Sequence, residues 1–397
     1  MDNVEATCLT LYHLTGVRDD PDDIKGASSL YQTLMLSKTR NLEEMDRFLF
    51  VKRLGGYVDD RVDYDYSIFN LIISESEINN ALWIESERIG SLQLNDRLID
   101  RLKTNVYKRF YHLTNNNVSF RAINWVKEKV FEGTVYKTPL YGKIENIQGF
   151  DNQKIKALYN NFRNLSDIVM VISGKFNSLE IKDIIKKRFS DLEFRTRPVK
   201  KNFTSFVPRK KYVYENWTIE NLNKPFFLIG IRAPSKISFD YLYFDFIRYY
   251  LLDKRMSTLI RSINHKNDLN ADISYELSNY FECNALIIKI SVDNRIKLEK
   301  ARYILNRELA AFTSVKALSN NDLKSTKSLM EIDLKKKMRD LKERNHLIAE
   351  NFFLNGDMNF VEKQISRIRK INSLNVIRIG KKYLQKENMV ILNVYKK

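Results

Sequence analysis

The chain has 397 residues, 44% of them hydrophobic, which is enough for a well-buried core and for two domains, and excludes disorder throughout. No run of about eighteen apolar residues occurs, so no membrane-spanning helix is expected. The net charge of +18 would suit a polyanion if it were clustered, but the 67 basic residues are interspersed with 49 acidic ones and read as a solvated surface, so no specific nucleic-acid partner is expected.

In chain order, Met1-Asp2-Asn3-Val4-Glu5 lacks the basic flank and apolar core of a secretory signal and the Arg/Ser-rich helix of a presequence, so a cytoplasmic site is expected. Cys8 and Cys283 are too far apart in sequence to suggest a disulfide framework or a metal-ligand spacing, and each reads as an unpaired thiol. Residues 8–17, CLTLYHLTGV, alternate like a strand and lead into a polar turn with Arg18-Asp19-Asp20. Gly55-Gly56 reads as a turn before one strand with Tyr66, Ile68, Asn70 and Ile72 on a single face. Helices are expected over 77–91, 95–113, 120–130 and 151–161, and a strand over 167–176. Pro198, Pro208, a dense run of charge and an Asn cluster mark 196–221 as a linker, with the boundary near residue 210.

Beyond the linker, residues 226–235, FFLIGIRAPS, repeat the opening strand, and residues 388–397 repeat the strand at 167–176. The two pairs start 218 and 221 residues apart, so the chain reads as two copies of one domain, 1–195 and 222–397. Met330, Leu334, Met338 and Leu341 recur at helical spacing and are expected to form the buried stripe of one long helix. The expected class is α+β (mixed α/β), with two homologous domains, each a mainly antiparallel sheet packed with helices.

The stretch GASSLYQTLM from Gly26 follows a strand and a turn and precedes LGGYVDD. Further on come Phe131, Gly133, Tyr136, Pro139, Leu140, Gly142 and Tyr159, in the segment NVSFRAINWVKEKVFEGTVYKTPLYGKIENIQGFDNQKIKALYNNF. In order and spacing these landmarks resemble the pitrilysin/insulinase family of inverted-motif zinc peptidases, to which the mitochondrial processing peptidases belong. The likeness covers essentially the whole chain, with the family's first strand falling before residue 1. It implies the fold of one half of a clamshell metallopeptidase.

Chemistry in that family needs two His one helical turn apart on a zinc ion and a Glu that takes a proton from the metal-bound water. Aligned on Gly26, the first His falls on Ser29, the Glu on Gln32 and the second His on Thr33, while the third ligand falls on Lys108 or Arg109. Hydroxyls are poor zinc ligands, an amide cannot act as the base, and a cation repels the metal. The remaining histidines, His13, His112, His265 and His346, form no closely spaced pair, and His112 reads as a solvated helix residue. No catalysis by this chain alone and no cofactor of its own are therefore expected.

The resemblance implies instead a non-catalytic subunit in a heterodimer, whose zinc-bearing sister cleaves peptides in a shared chamber. In some family pairs the inert wall supplies an Arg and, seven residues on, a Tyr that bind substrate and the oxyanion. Arg261 matches the Arg; the seventh residue after it is Asp268, a short insertion brings the Tyr position to Asn270 or Ala271, and Tyr275 is the nearest phenol. The resemblance to bacterial pairs of this kind implies, as a specific version, a cytoplasmic bacterial subunit in the maturation of a peptide such as a bacteriocin. A structural core subunit, as in the respiratory bc1 complex on the mitochondrial matrix side, is the alternative, and an autonomous basic binding module is a third.

Overall fold

A computed structural model of the chain describes residues 6–35, 37–190, 192, 203–312 and 318–397. The early elements are β1 Ala6–His13, α1 Tyr31–Leu34, α2 Asp46–Arg53, β2 Tyr57–Val62, β3 Ser67–Ser74, α3 Ile78–Ser91, α4 Asp96–Asn116 and α5 Val118–Val130. Next come α6 Asn152–Phe162, β4 Ile168–Gly174, α7 Ser178–Phe189, β5 Val213–Ile219, β6 Phe226–Ala233 and α8 Asp240–Leu252. A single turn, α9 Thr258–Ile260, runs into a π-helical turn, Arg261–His265, before β7 Asp272–Leu277, β8 Asn284–Ser291 and α10 Arg295–Ala311. The chain then forms α11 Asn320–Arg339, α12 Leu341–Asn355, α13 Val361–Arg369, α14 Ser373–Tyr383 and β9 Met389–Lys396.

These elements form two compact units, neither of them one continuous stretch. The first comprises Met1–Leu113, Thr138–Lys201 and Lys335–Phe360; the second comprises Thr114–Lys137, Asn202–Leu334 and Val361–Lys397. Each unit thus recruits one helix from the opposite half of the sequence, α12 into the first and α5 into the second.

In the first unit a four-stranded antiparallel sheet has the order β2-β3-β1-β4. Thr10 on β1 lies opposite Asn70 on β3 and Val171 on β4. Strand alternation puts Cys8, Thr10 and Tyr12 on one face, and α12 covers it. There Asn345 Nδ2 donates to Thr10 Oγ1 at 2.9 Å, Cys8 O at 3.0 Å and Val171 O at 3.1 Å. The opposite face carries His13 and Phe69, packed against Phe162 of α6 at ring separations of 4.3 and 5.8 Å. Both faces are buried, which is why β1 is apolar at most positions and not only at every second one.

The second unit has a five-stranded sheet, β5-β9-β6-β8-β7, in which β6, β8, β7 and β9 repeat the order of β1, β3, β2 and β4. Here α5 lies on the sheet over Gly230, where a β-carbon would stand 2.5 Å from Val126 Cγ1 and 2.6 Å from Val130 Cγ2. Arg232 of β6 closes the end of α5 by donating through Nη2 to Val130 O at 2.7 Å and Glu132 O at 2.6 Å.

Three expectations need correction. The 57–74 segment is two strands, because Asp63 N donates to Tyr66 O at 2.9 Å and turns the chain between β2 and β3. The stripe from Met330 to Leu341 belongs to two helices: Asp340 accepts from the amides of Lys342 and Glu343 at 3.0 Å and so starts α12, leaving Met330 buried while Met338 is only half-buried. Part of the 196–221 linker is a strand, β5, which pairs parallel with β9 from Val213 opposite Val390 to Ile219 opposite Lys396; residues 196–202 lie outside the described residues.

Candidate functional site

Gly26, at φ +102°, turns the chain into a 3-10 turn, Ala27–Leu30, that continues as α1. The buried Asp20 carboxylate holds this turn, accepting from Gly26 N at 2.9 Å, Ser28 N at 3.0 Å and the Ser28 hydroxyl. Burial pushes the Asp20 carboxyl up to about 6 against the pull of those hydrogen bonds. Ser29 is half-buried and its hydroxyl donates back to Gly26 O at 2.6 Å. Gln32 and Thr33 are exposed, and the Gln32 amide donates at 2.7 Å to Asp60 O on β2, the outer strand of the sheet. Both Ser29 and Gln32 thus donate into backbone carbonyls.

Lys108 and Arg109 are exposed on α4, and Arg109 lies 5.7 Å from the ring centre of Phe110, which stacks on Tyr141 at 3.7 Å. No hydrogen bond or ion pair of the described residues joins either cation to Ser29, Gln32 or Thr33. Among the described residues no three His, Cys, Asp or Glu side chains are grouped to hold a metal ion. His13 is buried with Nδ1 3.2 Å from Phe162 O, and burial and the Arg88 charge push it down to about 3. His346 packs on Tyr66 at 5.1 Å, and His112 and His265 are exposed. Cys8 and Cys283 are buried and not joined in a disulfide. At the positions that the resemblance implies for the metal, the side chains are a hydroxyl, an amide, a second hydroxyl and a cation, a donor set that does not suit zinc.

In the second unit Arg261 is exposed and folds back on its own chain, with Nη2 donating to Met256 O at 3.0 Å. Asp268 and Asn270, at φ +50° and +47°, shape the loop that follows, and Asn264 brackets Ala271 by donating to its carbonyl at 2.9 Å and accepting from its amide at 2.7 Å. Tyr275 is half-buried on β7, and its hydroxyl accepts from Arg248 Nη1 at 3.4 Å. No hydrogen bond joins Arg261 to Tyr275 among the described residues. The cation that does reach Tyr275 is Arg248, held by Asp245 at 2.6 Å and lying 4.0 Å from the Tyr249 ring centre. Asp245 and Tyr249 are neighbours of Arg248 on α8, but sequence reasoning missed its role because Tyr275 on β7, 27 residues on, is brought to it only by the fold.

Residues 149–330 match the family model described as Peptidase M16 inactive domain. Over 186 residues the chain is 20% identical to the zinc protease PqqE of Helicobacter pylori, a stretch covering 47% of this chain and 42% of that protein. The chain therefore spans less than half the length of this curated relative. Among solved structures, a protease from Helicobacter pylori superposes with a TM-score of 0.89 at 15% identity, covering 99% of this chain and 94% of that one. The matched segment is related to the M16 peptidases. A chain of complex III2 from Candida albicans shares the M16 fold too, with a TM-score of 0.76 at 14% identity over 98% of this chain and 91% of that one. At these identities the structural likeness is one of fold. Over the matched residues the chain is an inactive-type M16 homologue, and the family and fold class expected from the sequence are those found. Ser29, Gln32 and Thr33 lie upstream of the matched segment.

Proposed function

We propose that this chain is a non-catalytic M16 subunit that pairs with a zinc-bearing sister and supplies part of the wall of a peptide-processing chamber. Its own turn at Gly26 carries the reading. Ser29 and Gln32 stand at the metal and base positions implied by the resemblance, yet they donate into the Gly26 and Asp60 carbonyls, leaving neither a ligand set nor a general base. Catalysis and the metal then belong to the sister. The chain contributes Arg261 on an exposed turn and the outer strands β2 and β7, whose edges suit an extended peptide. A bacterial cytoplasmic complex that matures a secreted peptide such as a bacteriocin is the specific form proposed.

The test measures metal content and peptidase activity of the purified chain, alone and mixed with an intact M16 sister from the same genome. The expected result is an inert, metal-free chain that activates the sister, with Arg261→Ala lowering that activation at least about tenfold. Stoichiometric zinc and cleavage by the chain alone would refute the reading. The likeness to a complex III2 chain favours a second reading, a structural core subunit; no effect on any sister, with co-purification of respiratory subunits, would select it.

A further inference from the structure

The two sheets repeat one strand order, but they differ at one edge. β9 and β4 hold equivalent places, beside β6 and β1, and only β9 is covered on its outer side, by β5. No described strand covers β4. The burial follows: β9 is buried from Met389 to Tyr395, whereas β4 is only half-buried from Ile168 to Ile172.

Among the described residues this edge presents backbone groups with no strand partner. Leu14 N donates to Asp167 O, and alternation along the antiparallel ladder turns the amides of Val169, Val171 and Ser173 towards β1 and those of Ile168, Met170 and Ile172 outward. The side chains of Ile168, Met170 and Ile172, with Ile89 of α3 and Ile185 and Phe189 of α7, line an apolar cavity of about 390 Å³ beside this edge. Proteins guard such edges with lysine, proline or a bulge. From Ile168 to Ser173 there is no lysine or proline, and the pairing with β1 is continuous.

We propose that the β4 edge takes an added strand from another polypeptide: an extended segment with apolar side chains at alternate positions, running parallel to β4 and filling the cavity against α7. The second sheet supplies the template. There β5, seven residues long, pairs in parallel with the equivalent strand. Backbone hydrogen bonds give such an addition its affinity, and the cavity selects the side chains. The inference does not depend on a zinc-bearing sister and goes beyond the pairing proposed above.

The probe is a fluorescein-labelled peptide with the sequence of residues 212–220, YVYENWTIE, titrated into the full chain by anisotropy beside a scrambled control. Amide hydrogen exchange of β4 is followed with and without the peptide. In the chain alone the Ile168, Met170 and Ile172 amides should exchange at least about tenfold faster than those of Val169 and Val171, and saturating peptide should slow them. Met170→Pro removes an outward N–H and no ladder bond, so the strand should persist while peptide affinity falls at least about tenfold. Ile185→Asp, which charges the cavity wall and leaves the strand untouched, should weaken binding similarly. Protected outward amides in the chain alone would mean that its own residues already cover the edge, overturning the proposal. Binding no tighter than the scrambled peptide, or equal in both variants and the parent, would overturn it as well.

Discussion

Gly26 and Gly142 meet backbone to backbone: a β-carbon on Gly26 would lie 2.1 Å from the Gly142 nitrogen, and one on Gly142 would lie 2.3 Å from the Lys25 carbonyl oxygen. Both residues have positive φ, +102° and +78°, and neither close neighbour is a side chain that could swing away. Alanine at either position should cost about 3 kcal/mol, from the collision and the left-handed backbone together. Gly133→Ala, at φ +77° with open space around it, should cost only about 1 kcal/mol. Urea midpoints of the three variants check this, and equal losses would count against the crossing.

His13 and Asp20 should give opposite pH dependences. His13 titrates at about 3 in the fold against 6.5 unfolded, so the unfolded chain binds the extra proton and stability falls as pH drops from about 6.5. Asp20 titrates at about 6 against 3.8, so the fold binds the extra proton and stability rises as pH drops from about 6. Between about pH 4 and 6 the two nearly cancel, each contributing a slope of about 1.4 kcal/mol per pH unit. Asp20→Asn should expose the loss on acidification due to His13, and His13→Phe the opposite slope due to Asp20. Unfolding free energies at pH 6 and 4.5 in the two variants decide; identical slopes would contradict the assignment.

The repeat was legible in the sequence because β1 and β6, like β4 and β9, are apolar runs that recur at one spacing. The turn at Gly26 was legible because a glycine followed by small and polar residues marks a tight entry into a helix, and its φ of +102° is one that glycine tolerates. The exchange of α5 and α12 between units left no mark in hydropathy, since an amphipathic helix does not state which sheet it covers. β5 hid behind prolines and charges because its burial is incomplete, with Tyr214, Glu215 and Asn216 exposed. The destination of the Gln32 amide could not be read either, since Asp60 reaches it only through the fold of the β2 hairpin.

A buried group of four charges ties α2, β2 and α3 together. Arg47 Nε donates to Glu85 Oε1 at 3.0 Å, Arg47 Nη2 to Asp60 Oδ1 at 3.1 Å, and Arg88 Nε to Glu85 Oε2 at 2.7 Å. Burial pushes the Glu85 carboxyl up, but the two guanidiniums beside it outweigh burial and hold it below its ordinary value. Glu85→Gln leaves two buried cations sharing Asp60 alone and should cost about 3 to 5 kcal/mol. Glu87→Gln, one residue pair further along α3 and more exposed, should cost less than about 1 kcal/mol. Chemical denaturation of the two variants checks the contrast, which fails if both lose the same amount.

Asn345 fastens α12 to the first sheet with its amide nitrogen alone, since its Oδ1 is buried without a partner. The three atoms that face the nitrogen are acceptors, and Thr10 Oγ1 already gives its proton to Asn70 Oδ1 at 2.7 Å. Asn345→Asp therefore turns a carboxylate towards acceptors with no proton to offer, and should cost about 3 kcal/mol at neutral pH. The new carboxyl would have a raised pKa in the fold, so its protonated form should recover stability as pH falls through that value, by donating one of the lost hydrogen bonds. Asn345→Ala removes the donor without adding charge and should cost about 1 to 2 kcal/mol with no such recovery. Urea titrations at pH 7.5 and 5 separate the cases. A pH-independent loss in Asn345→Asp equal to that of the alanine variant would mean that the nitrogen does not bind α12 to the sheet, and that apolar packing alone holds a helix recruited from so late in the chain.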